Sequence, residues 1–370
     1  MLVFICTAIG SLMAFDRNQP YNDLPLLPPL QDLETKAVLK QAIGANRALA
    51  NLRGLAGQIP NQIMLISSIT LQEARLSSEI ENIVTTNDEL YRADADADGK
   101  ADPHTKEVLR YRQALQHGFA ALRERPLTTN LFIEIARLIK QSDIGIRALP
   151  GTALKNEMGE IVYTPPVGDH VIRDKLSDLE RFLHADDGID PLIKMAVMHY
   201  QFEAIHPFPD GNGRTGRILN LLYLVQAGLM DIPVLFLSRY IIGNKREYYL
   251  GLQKVTEQQD WENWVLFMLR AVESTAQQTF DQVKRILALM ETVREKVHRE
   301  LPGIYSKDLI EAIFRHPYTK IQFLVDANIA KRQTSSGYLQ ALAAHGVLVE
   351  KQMGREKYFI NHALLAELAR

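Results

Sequence analysis

The sequence predicts a mainly α-helical protein with one short β-hairpin near its middle and a small C-terminal domain of helices and strands. Three observations favour this fold class. Apolar residues recur every three or four positions over most of the chain, which is the spacing of an amphipathic helix. Helical periodicity breaks between residues 151 and 166. After Pro302-Gly303 the pattern changes to three helices followed by two strands.

The composition is that of an ordinary globular protein. The chain has 370 residues, of which 46% are hydrophobic and 23% charged, and its formal net charge is -2. This length allows two or three domains. The charge balance gives no overall attraction to nucleic acid or to a membrane. The single cysteine, Cys6, excludes an internal disulfide framework and a cysteine-based zinc site, so we expect a reducing, cytoplasmic location.

Residues 1–15 are almost entirely apolar. They look like the hydrophobic part of a signal peptide, but no Lys or Arg precedes them. They are also too short to span a bilayer, which takes about 20 apolar residues. We favour a start at Met13, with the preceding residues as an upstream extension, over a working signal; the choice between Met1 and Met13 stays open.

The N-terminal part is expected to hold a strap and two helices. Residues 22–29 (NDLPLLPP) must be extended, because proline blocks a helix and restricts the residue before it, and we expect a strap rather than a core element. Residues 32–55 predict an amphipathic helix, and residues 71–83 a second helix. The apolar residues of the first helix are Val38, Leu39, Ile43, Leu49 and Leu52.

Residues 92–103 form a loop by composition, rich in Asp with one Gly. Four of them match the first ligand positions of a calcium-binding EF-hand, namely Asp94, Asp96, Asp98 and Gly99. The match fails at its twelfth position, where Thr105 stands in place of the bidentate Glu. We therefore interpret the segment as a solvated acidic linker.

The middle of the chain is predicted to be helical around one hairpin. Helices are expected at residues 105–122 and 130–141, and residues 160–164 form one hairpin arm after the Met158-Gly159 turn. From residue 172 to residue 282 the chain is again mostly helical. Within this part Trp261, Trp264 and Phe267 share one helix face, and such a stripe is more typical of core than of a functional site.

The C-terminal domain has the pattern of a winged helix. A charged helix at residues 283–301 leads to it, and Ser306 is expected to cap its first helix. Residues 326–331 turn between its second and third helices, and residues 347–351 and 357–360 form strands around the Met353-Gly354 turn. We divide the chain into four parts. Residues 1–103 hold the strap and the N-terminal helices, residues 104–282 the central helical core, residues 283–302 a linker helix and residues 303–370 the winged helix.

Basic residues are expected at the start of the third helix and on the wing, where winged helices contact phosphates. They are Lys331, Arg332, Lys351, Arg355 and Lys357. Contact with DNA, contact with a protein, and simple solvation of a small domain all remain open interpretations.

Residues 206–217 (HPFPDGNGRTGR) carry the chemistry. The apolar helix at residues 192–205 ends at His206 because Pro207 follows, and a new helix begins near Arg214. Gly211, Asn212 and Gly213 therefore lie at a helix N-terminus, where free N–H groups and the helix dipole favour an anion.

Charged residues surround this predicted anion site. Asp210 suits a magnesium ion that bridges phosphate oxygens, and Arg214 and Arg217 suit bidentate contact with phosphates. His206 can accept a proton near neutrality, since the reference pKa of histidine is about 6.5. Each residue alone could be structural, but their clustering within twelve positions indicates a site for phosphoryl-group transfer.

Gly211, Gly213 and Gly216 also match the dinucleotide fingerprint GxGxxG. That fingerprint requires a preceding strand and a βαβ unit, whereas a helix precedes these glycines. The Walker pattern GxxxxGK[ST] is absent from this segment. The sequence therefore argues against a dinucleotide fold and against a P-loop.

These motifs make the chain resemble the Fic family. Residues 206–217 fit the Fic signature HxFx[DE]GNGRxxR at every defined position, and residues 77–82 (SSEIEN) fit the family's inhibitory motif [ST]xxxE[GN]. The resemblance covers most of the chain. It implies a Fic helical core with a β-hairpin flap, an N-terminal inhibitory helix and a C-terminal winged helix.

The resemblance implies a protein adenylyltransferase, which moves AMP from ATP to the hydroxyl of a Ser, Thr or Tyr in a target protein or in itself. It implies that His206 is the general base on that hydroxyl and that Asp210 binds Mg2+. The ATP site would comprise Glu81, Gly211, Asn212, Gly213, Arg214, Arg217, Tyr248 and Tyr249.

Two further sites follow from the resemblance. The inhibitory motif corresponds to Ser77, Glu81 and Asn82, with Glu81 expected to pair with Arg217. The flap that holds the target protein by strand addition corresponds to Ile161, Val162 and Tyr163.

Alternatives to this function stay open. A winged-helix DNA-binding regulator with a degenerate core is one, although the intact motif argues against degeneracy. Transfer of another phosphate-containing group, or removal of AMP, is another. The sequence also leaves open whether the protein forms a homodimer, and it gives no reason to expect a membrane partner.

Overall fold

The computed structural model describes residues 15–57, 62–96, 101–353 and 356–370, with the backbone alone for residues 63–68. These residues are mainly helical, as the sequence predicts. The helices are α1 Lys36–Gly57, α2 Gln62–Ile80, α3 Asn87–Ala95, α4 Pro103–Ala121, α5 Thr129–Lys140, α6 Asp169–His184, α7 Pro191–Ile205, α8 Asn212–Gln226, α9 Leu237–Gly243, α10 Lys245–Gln258, α11 Trp261–Glu300, α12 Lys307–Arg315, α13 Ile321–Asp326, α14 Arg332–Ala344 and α15 His362–Ala369. The strands are β1 Leu154–Lys155, β2 Ile161–Tyr163, β3 Tyr318–Thr319, β4 Val349–Met353 and β5 Glu356–Ile360.

Helices α7 and α8 form the centre of the core. Almost every residue of α7 is buried, which is the mark of a helix surrounded by protein on all sides. Helix α8 packs against it and also contacts α4 and α5. The aromatic stripe of α11 completes this core, with Trp261, Trp264 and Phe267 all buried as predicted. The turn between α7 and α8 is therefore held by packed helices on both sides.

Helix α1 confirms the predicted helix but corrects its buried face. It packs along α11. Leu39 and Ile43 are exposed, whereas Ala42 and Ala45 are buried. Short alanine side chains let the two helix backbones approach closely, so the longer residues turn towards solvent.

The N-terminal strap forms neither helix nor strand and lies against the core, but a turn at residues 22–23 and a bend at residues 27–28 interrupt the extended course that its prolines predict. Lys175 Nζ donates to the Leu24 carbonyl oxygen at 2.7 Å, and the Leu27 N–H donates to Asp178 Oδ2 at 2.8 Å. The sequence predicted a strap that is not part of the core. The side chain of Leu24 is buried, so the strap does contribute to the core.

The hairpin forms where the sequence predicts it. Strands β1 and β2 are antiparallel, with Leu154 opposite Tyr163. The turn is held by Asn156, whose Oδ1 accepts from the N–H groups of Met158 and Glu160, each at 3.0 Å. An Asn side chain that mimics a backbone turn in this way is a common turn device.

The acidic segment is not a solvated linker where the structure describes it. Helix α3 extends through Ala95, and Asp94 pairs with Arg112. Asp96 contacts Lys320 and Tyr358 of the C-terminal domain. The prediction was wrong because distant basic residues, invisible in local composition, neutralise these carboxylates. Asp98 and Gly99 of the EF-hand comparison lie outside the described residues.

The C-terminal domain has the element order of a winged helix. It contains helices α12, α13 and α14 and an antiparallel sheet with the strand order β3-β5-β4. Helix α15 follows the last strand in the chain. Ser306 caps α12 as predicted, accepting from the Leu309 N–H at 3.1 Å. Strand β3 and helix α15 were not predicted; β3 has two residues, too few for a pattern. Gly354 and Arg355, at the predicted wing turn, lie outside the described residues.

Helix α11 runs unbroken from Trp261 to Glu300, across the division that the sequence suggested at residues 282 and 283. The division of the chain into four parts stays a prediction. None of the helices in the described part of the chain is long and apolar enough to cross a bilayer.

Candidate active site

The turn between α7 and α8 is fixed by its own side chains. His206 ends α7 in a left-handed conformation (φ 49°), and Gly211 begins α8 with φ 81°, which suits glycine. Asn212 accepts from the Phe208 N–H through Oδ1 at 2.8 Å and donates to the Phe208 carbonyl through Nδ2 at 2.7 Å. The predicted role of the Asn212 N–H at the phosphates stays a prediction, and its side chain clamps the turn.

His206 lies half-buried at the end of α7. Burial lowers the pKa of His206 to about 4, and the positive charge of Arg147 adds to the effect. Arg147 lies close because its Nε donates to the His206 carbonyl oxygen at 2.6 Å. Among the described residues, His206 Nδ1 has no hydrogen-bond partner. The imidazole is therefore neutral near pH 7 and able to accept a proton.

The two motif arginines are buried and share one carboxylate. Glu81 Oε1 lies 2.7 Å from Arg217 Nη2, and Glu81 Oε2 lies 2.9 Å from Arg214 Nε. Ser77 also holds Arg217, since its Oγ accepts from Nε at 2.7 Å and its carbonyl from Nη2 at 2.9 Å. The sequence predicted the pair of Glu81 with Arg217, and the structure adds Arg214.

A second group of charges extends this network from Arg214. Glu107 accepts from Arg214 Nη1 at 2.5 Å, and Lys140 Nζ lies 2.5 Å from Asp210 Oδ2. Burial raises the pKa of Asp210, but Lys140 and Arg214 outweigh it and hold that pKa below its usual range. Sequence reasoning missed Glu107 and Lys140, because they come from α4 and α5 and are ordinary charged residues in helical patterns.

A cavity of about 1060 Å³ opens beside this network, between the end of α2, the hairpin and α10. Glu81, Asn82 and Tyr249 line it, together with Val162 and Tyr163 of the hairpin. Of the predicted site residues, the cavity thus brings together two of the three residues of the predicted inhibitory motif, one tyrosine of α10 and part of the flap.

Three predicted residues depart from the expected arrangement around this cavity. Tyr248 is buried, and its hydroxyl lies 2.8 Å from His199 Nε2, which puts it in the core behind Tyr249. Tyr163 turns its hydroxyl inward and donates to the Ala204 carbonyl at 2.9 Å. Ile161 is half-buried and does not belong to the described lining of the cavity.

Glu203 also lines the cavity and was missed by sequence reasoning. It lies one helical turn before His206 on α7, and this spacing of three residues was the available signal. Burial raises the pKa of Glu203 to about 7. Its Oε1 is buried without a hydrogen-bond partner among the described residues.

The residues present fit a magnesium ion only as part of a nucleotide complex. Among the described residues, no three His, Cys, Asp or Glu side chains cluster as a metal site. Mg2+ is commonly held by one or two carboxylates together with substrate phosphates. Asp210 offers one ionised carboxylate with a side chain that is 59% exposed, which suits that role.

Comparison with known proteins gives family matches along most of the chain. Residues 39–120 match the model described as Fic/DOC family N-terminal, and residues 126–224 match the Fic/DOC family model. Residues 289–364 match the C-terminal domain of protein adenylyltransferase SoFic-like.

Curated relatives match over shorter stretches. A probable protein adenylyltransferase of Aquifex aeolicus is 38% identical over 79 residues, which are 21% of this chain and 24% of that protein. Protein adenylyltransferase fic-1 of Caenorhabditis elegans is 30% identical over 121 residues, 32% of this chain and 22% of that protein. The chain thus spans about a quarter of the length of these relatives.

Solved structures share the fold at low identity. A Fic family protein from Desulfovibrio desulfuricans superposes with a TM-score of 0.58 at 19% identity, covering 90% of this chain and 98% of that chain. A Fic domain-containing signaling protein from Bacteroides thetaiotaomicron gives a TM-score of 0.52 at 20% identity, covering 65% and 95%. The solved structures show that the fold is shared, and the family models matched at residues 39–120, 126–224 and 289–364 show that the chain belongs to the Fic/DOC family.

Proposed function

We propose that this chain is a protein adenylyltransferase that transfers AMP from ATP to a hydroxyl side chain of a target protein or of itself. The observation that carries the proposal is the junction of α7 and α8. A neutral histidine, an ionised aspartate, a helix N-terminus and two buried arginines meet there. Relatives named protein adenylyltransferase support the same reaction.

In the proposed reaction the target oxygen attacks the α-phosphorus of ATP. The bond from that phosphorus to the bridging oxygen breaks, and pyrophosphate leaves. His206 accepts the proton of the target hydroxyl, which its lowered pKa permits because the ring is neutral. Most of the rate enhancement would come from positioning and from stabilising charge on the phosphates.

The phosphates would lie at the start of α8. The N–H groups of Gly211, Asn212 and Gly213 begin this helix, where the helix dipole favours anions. Arg214 would add a guanidinium contact. Asp210 would hold Mg2+, which when bound neutralises phosphate charge. The Asn212 side chain contributes by fixing the turn, since both of its polar atoms are already bonded to Phe208.

Adenosine and target would share the large cavity. Tyr249 lines it and would contact adenosine, while Tyr248 packs behind Tyr249 with ring centroids 5.2 Å apart and supports it. A cavity of about 1060 Å³ lies at the upper end of small-molecule sites, which leaves room for a target segment. Ile161 and Val162 would pair with that segment by strand addition, with Tyr163 as their inward anchor.

The proposed enzyme is autoinhibited by Glu81. Its carboxylate occupies donors of both Arg214 and Arg217, and it places negative charge where triphosphate charge would go. Ser77 orients Arg217 towards Glu81, and Asn82 ends the segment in a left-handed conformation (φ 64°). Release of Glu81 would free both arginines.

The test uses ATP labelled either at the α-phosphate or at the γ-phosphate, with the wild-type protein and the Glu81→Gly variant. Protein that takes up α-label supports AMP transfer. Uptake of γ-label alone would instead indicate kinase-like transfer of a phosphate and would overturn the proposal. A Glu81→Gly, His206→Ala protein is the control, and it should take up neither label.

A further inference from the structure

We propose that docking of the C-terminal domain on α2 and α3 holds Glu81 in its inhibitory position, so that undocking raises AMP transfer. This inference rests on the proposed function and adds a regulatory contact to it. The inference is drawn from side-chain contacts between the α3 segment, which follows Glu81 in the chain, and the C-terminal domain.

The docking contact pairs two aspartates with Tyr318 and Tyr358 of the C-terminal sheet and with Lys320, which directly follows β3. The Tyr318 hydroxyl donates to Asp88, and both Lys320 Nζ and the Tyr358 hydroxyl donate to Asp96. The Lys320 ammonium also lies 5.1 Å from the centre of the Tyr358 ring. The side chain of Lys320 is only 14% exposed, so this ion pair is poorly screened by water.

Helix α3 is in turn fastened to α2. Gln72 of α2 donates through Nε2 to Asn87 Oδ1 at 3.2 Å and to the Tyr91 hydroxyl at 2.5 Å. Residues 81–86 alone connect the two helices, and Glu81 is the first of them. A displacement of α3 is therefore transmitted over this short connection to Glu81.

Helix α2 contacts both the catalytic core and the C-terminal domain. Towards the core, Ser77 holds Arg217, and Glu73 accepts from the Ser238 N–H at 3.1 Å. Helices α12 and α15 of the C-terminal domain pack against α2 as well. The position of the inhibitory segment therefore depends on both neighbours.

The C-terminal domain has a second attachment that does not involve α2 or α3. Gln282 of α11 donates to the Glu367 carbonyl at 2.7 Å, and Arg285 Nε lies 2.9 Å from Glu367 Oε2. Substitutions at the α3 contact can therefore loosen the inhibitory segment while α11 still carries the domain.

The first experiment is a charge reversal, Lys320→Glu, measured as uptake of α-label from ATP by the protein itself. The variant places a third carboxylate beside Asp96 and Glu356, which both pair with Lys320, and transfer should rise at least about fivefold, the lower end of coupling between sites. Adding Asp96→Lys restores an opposite-charge pair and should return transfer towards the wild-type rate. Lys331→Glu is the matched control, because Lys331 is exposed in the same domain and should leave transfer unchanged.

A second variant approaches the contact from α3. Asp88→Ala with Asp96→Ala removes both acceptors and should also raise transfer. Neither Lys320→Glu nor the double alanine variant should raise transfer further in the Glu81→Gly background, where no inhibitory carboxylate remains. Wild-type rates in both Lys320→Glu and the double alanine variant would overturn the docking proposal while Glu81→Gly is active. If Glu81→Gly itself transfers no AMP, the failure lies with the proposed function instead.

Discussion

Glu81 bridges the two motif arginines: its Oε1 lies 2.7 Å from Arg217 Nη2 while its Oε2 lies 2.9 Å from Arg214 Nε. Both guanidinium groups are almost fully buried, at 2% and 1% exposure, so these are strong charge-assisted contacts. When Glu81 is removed, Arg217 retains its hydrogen bond to Ser77 and Arg214 retains its hydrogen bond to Glu107. Loss of Glu81 therefore frees donors without leaving either arginine isolated.

We expect Glu81→Gly to raise AMP transfer about a hundredfold, because a partly buried charge pair can contribute a few kcal/mol and the ATP phosphates no longer compete with it. Initial rates of α-label transfer measure the effect. Glu79→Gly is the matched control, since Glu79 pairs at 2.9 Å with Arg75 of its own helix, and such partly exposed pairs one helical turn apart contribute little. Equal, wild-type rates in both variants would show that Glu81 does not inhibit the enzyme.

We expect His206→Ala to reduce AMP transfer at least about a hundredfold, the usual lower range for loss of a general base. The comparison is made in the Glu81→Gly background, where the rate is high enough to measure a loss. ATP affinity, measured by calorimetry, should change little, because the helix N-terminus and arginines are intact. A His206→Ala protein that keeps its rate would refute the assignment of the base.

The pH dependence should place the acidic limb of kcat/KM near pH 4 rather than at the ordinary value of histidine, about 6.5. The base must be neutral, and burial together with Arg147 lowers the pKa of His206 to about 4. Activity is therefore retained as pH falls from about 7 to about 5 and is lost as pH falls through about 4. The negative charge of Glu81 raises this pKa, so in Glu81→Gly the limb should move further down.

The measurement is kcat/KM of the Glu81→Gly variant between about pH 3 and about pH 8, with circular dichroism at each pH to separate catalysis from acid unfolding. A limb near the ordinary histidine value of about 6.5 in folded protein would mean that His206 is not the base, or that its ring is more solvated than its burial indicates.

Sequence reasoning was most informative where the candidate site is formed by residues that are neighbours in the chain. The turn from His206 to Arg217 is contiguous, so its helix break, glycines and charges could be interpreted together, and the helical fold followed from periodicity. Lys140 and Glu107 were missed because their role depends on α4 and α5 packing near α8. Tyr248 could not be distinguished from Tyr249, since which of two adjacent helix residues faces a cavity is decided by tertiary packing.

The remaining misses have the same physical cause. The local composition around Asp96 indicates solvation, and the partner that changes this is Lys320, far away in the sequence. Strand β3 is too short to show alternation and exists because it pairs with β5. The pair of Glu81 with Arg217 was accessible in advance only through the motif around Glu81, because nothing in the periodicity of α2 indicates that its end faces Arg217.

We expect Asn212 to preorganise the catalytic turn. Its buried side chain makes two hydrogen bonds to the backbone of Phe208, and Asn212→Ala leaves that buried N–H and carbonyl unpaired. The free energy of unfolding should fall by about 1–3 kcal/mol, measured by denaturant titration. Transfer in the Glu81→Gly background should fall as well, because the N–H groups of Gly211 and Gly213 are no longer held in place.

Asn220 provides the matched control on the same helix. It is also fully buried, but its Oδ1 and Nδ2 have no hydrogen-bond partner among the described residues. Asn220→Ala deletes the same atoms and leaves a similar cavity without breaking a described hydrogen bond, so the difference between the two variants reports the clamp on Phe208. Equal losses of stability and equal transfer rates in the two variants would mean that the clamp does not organise the turn, and that the packing of α7 against α8 is sufficient to hold it.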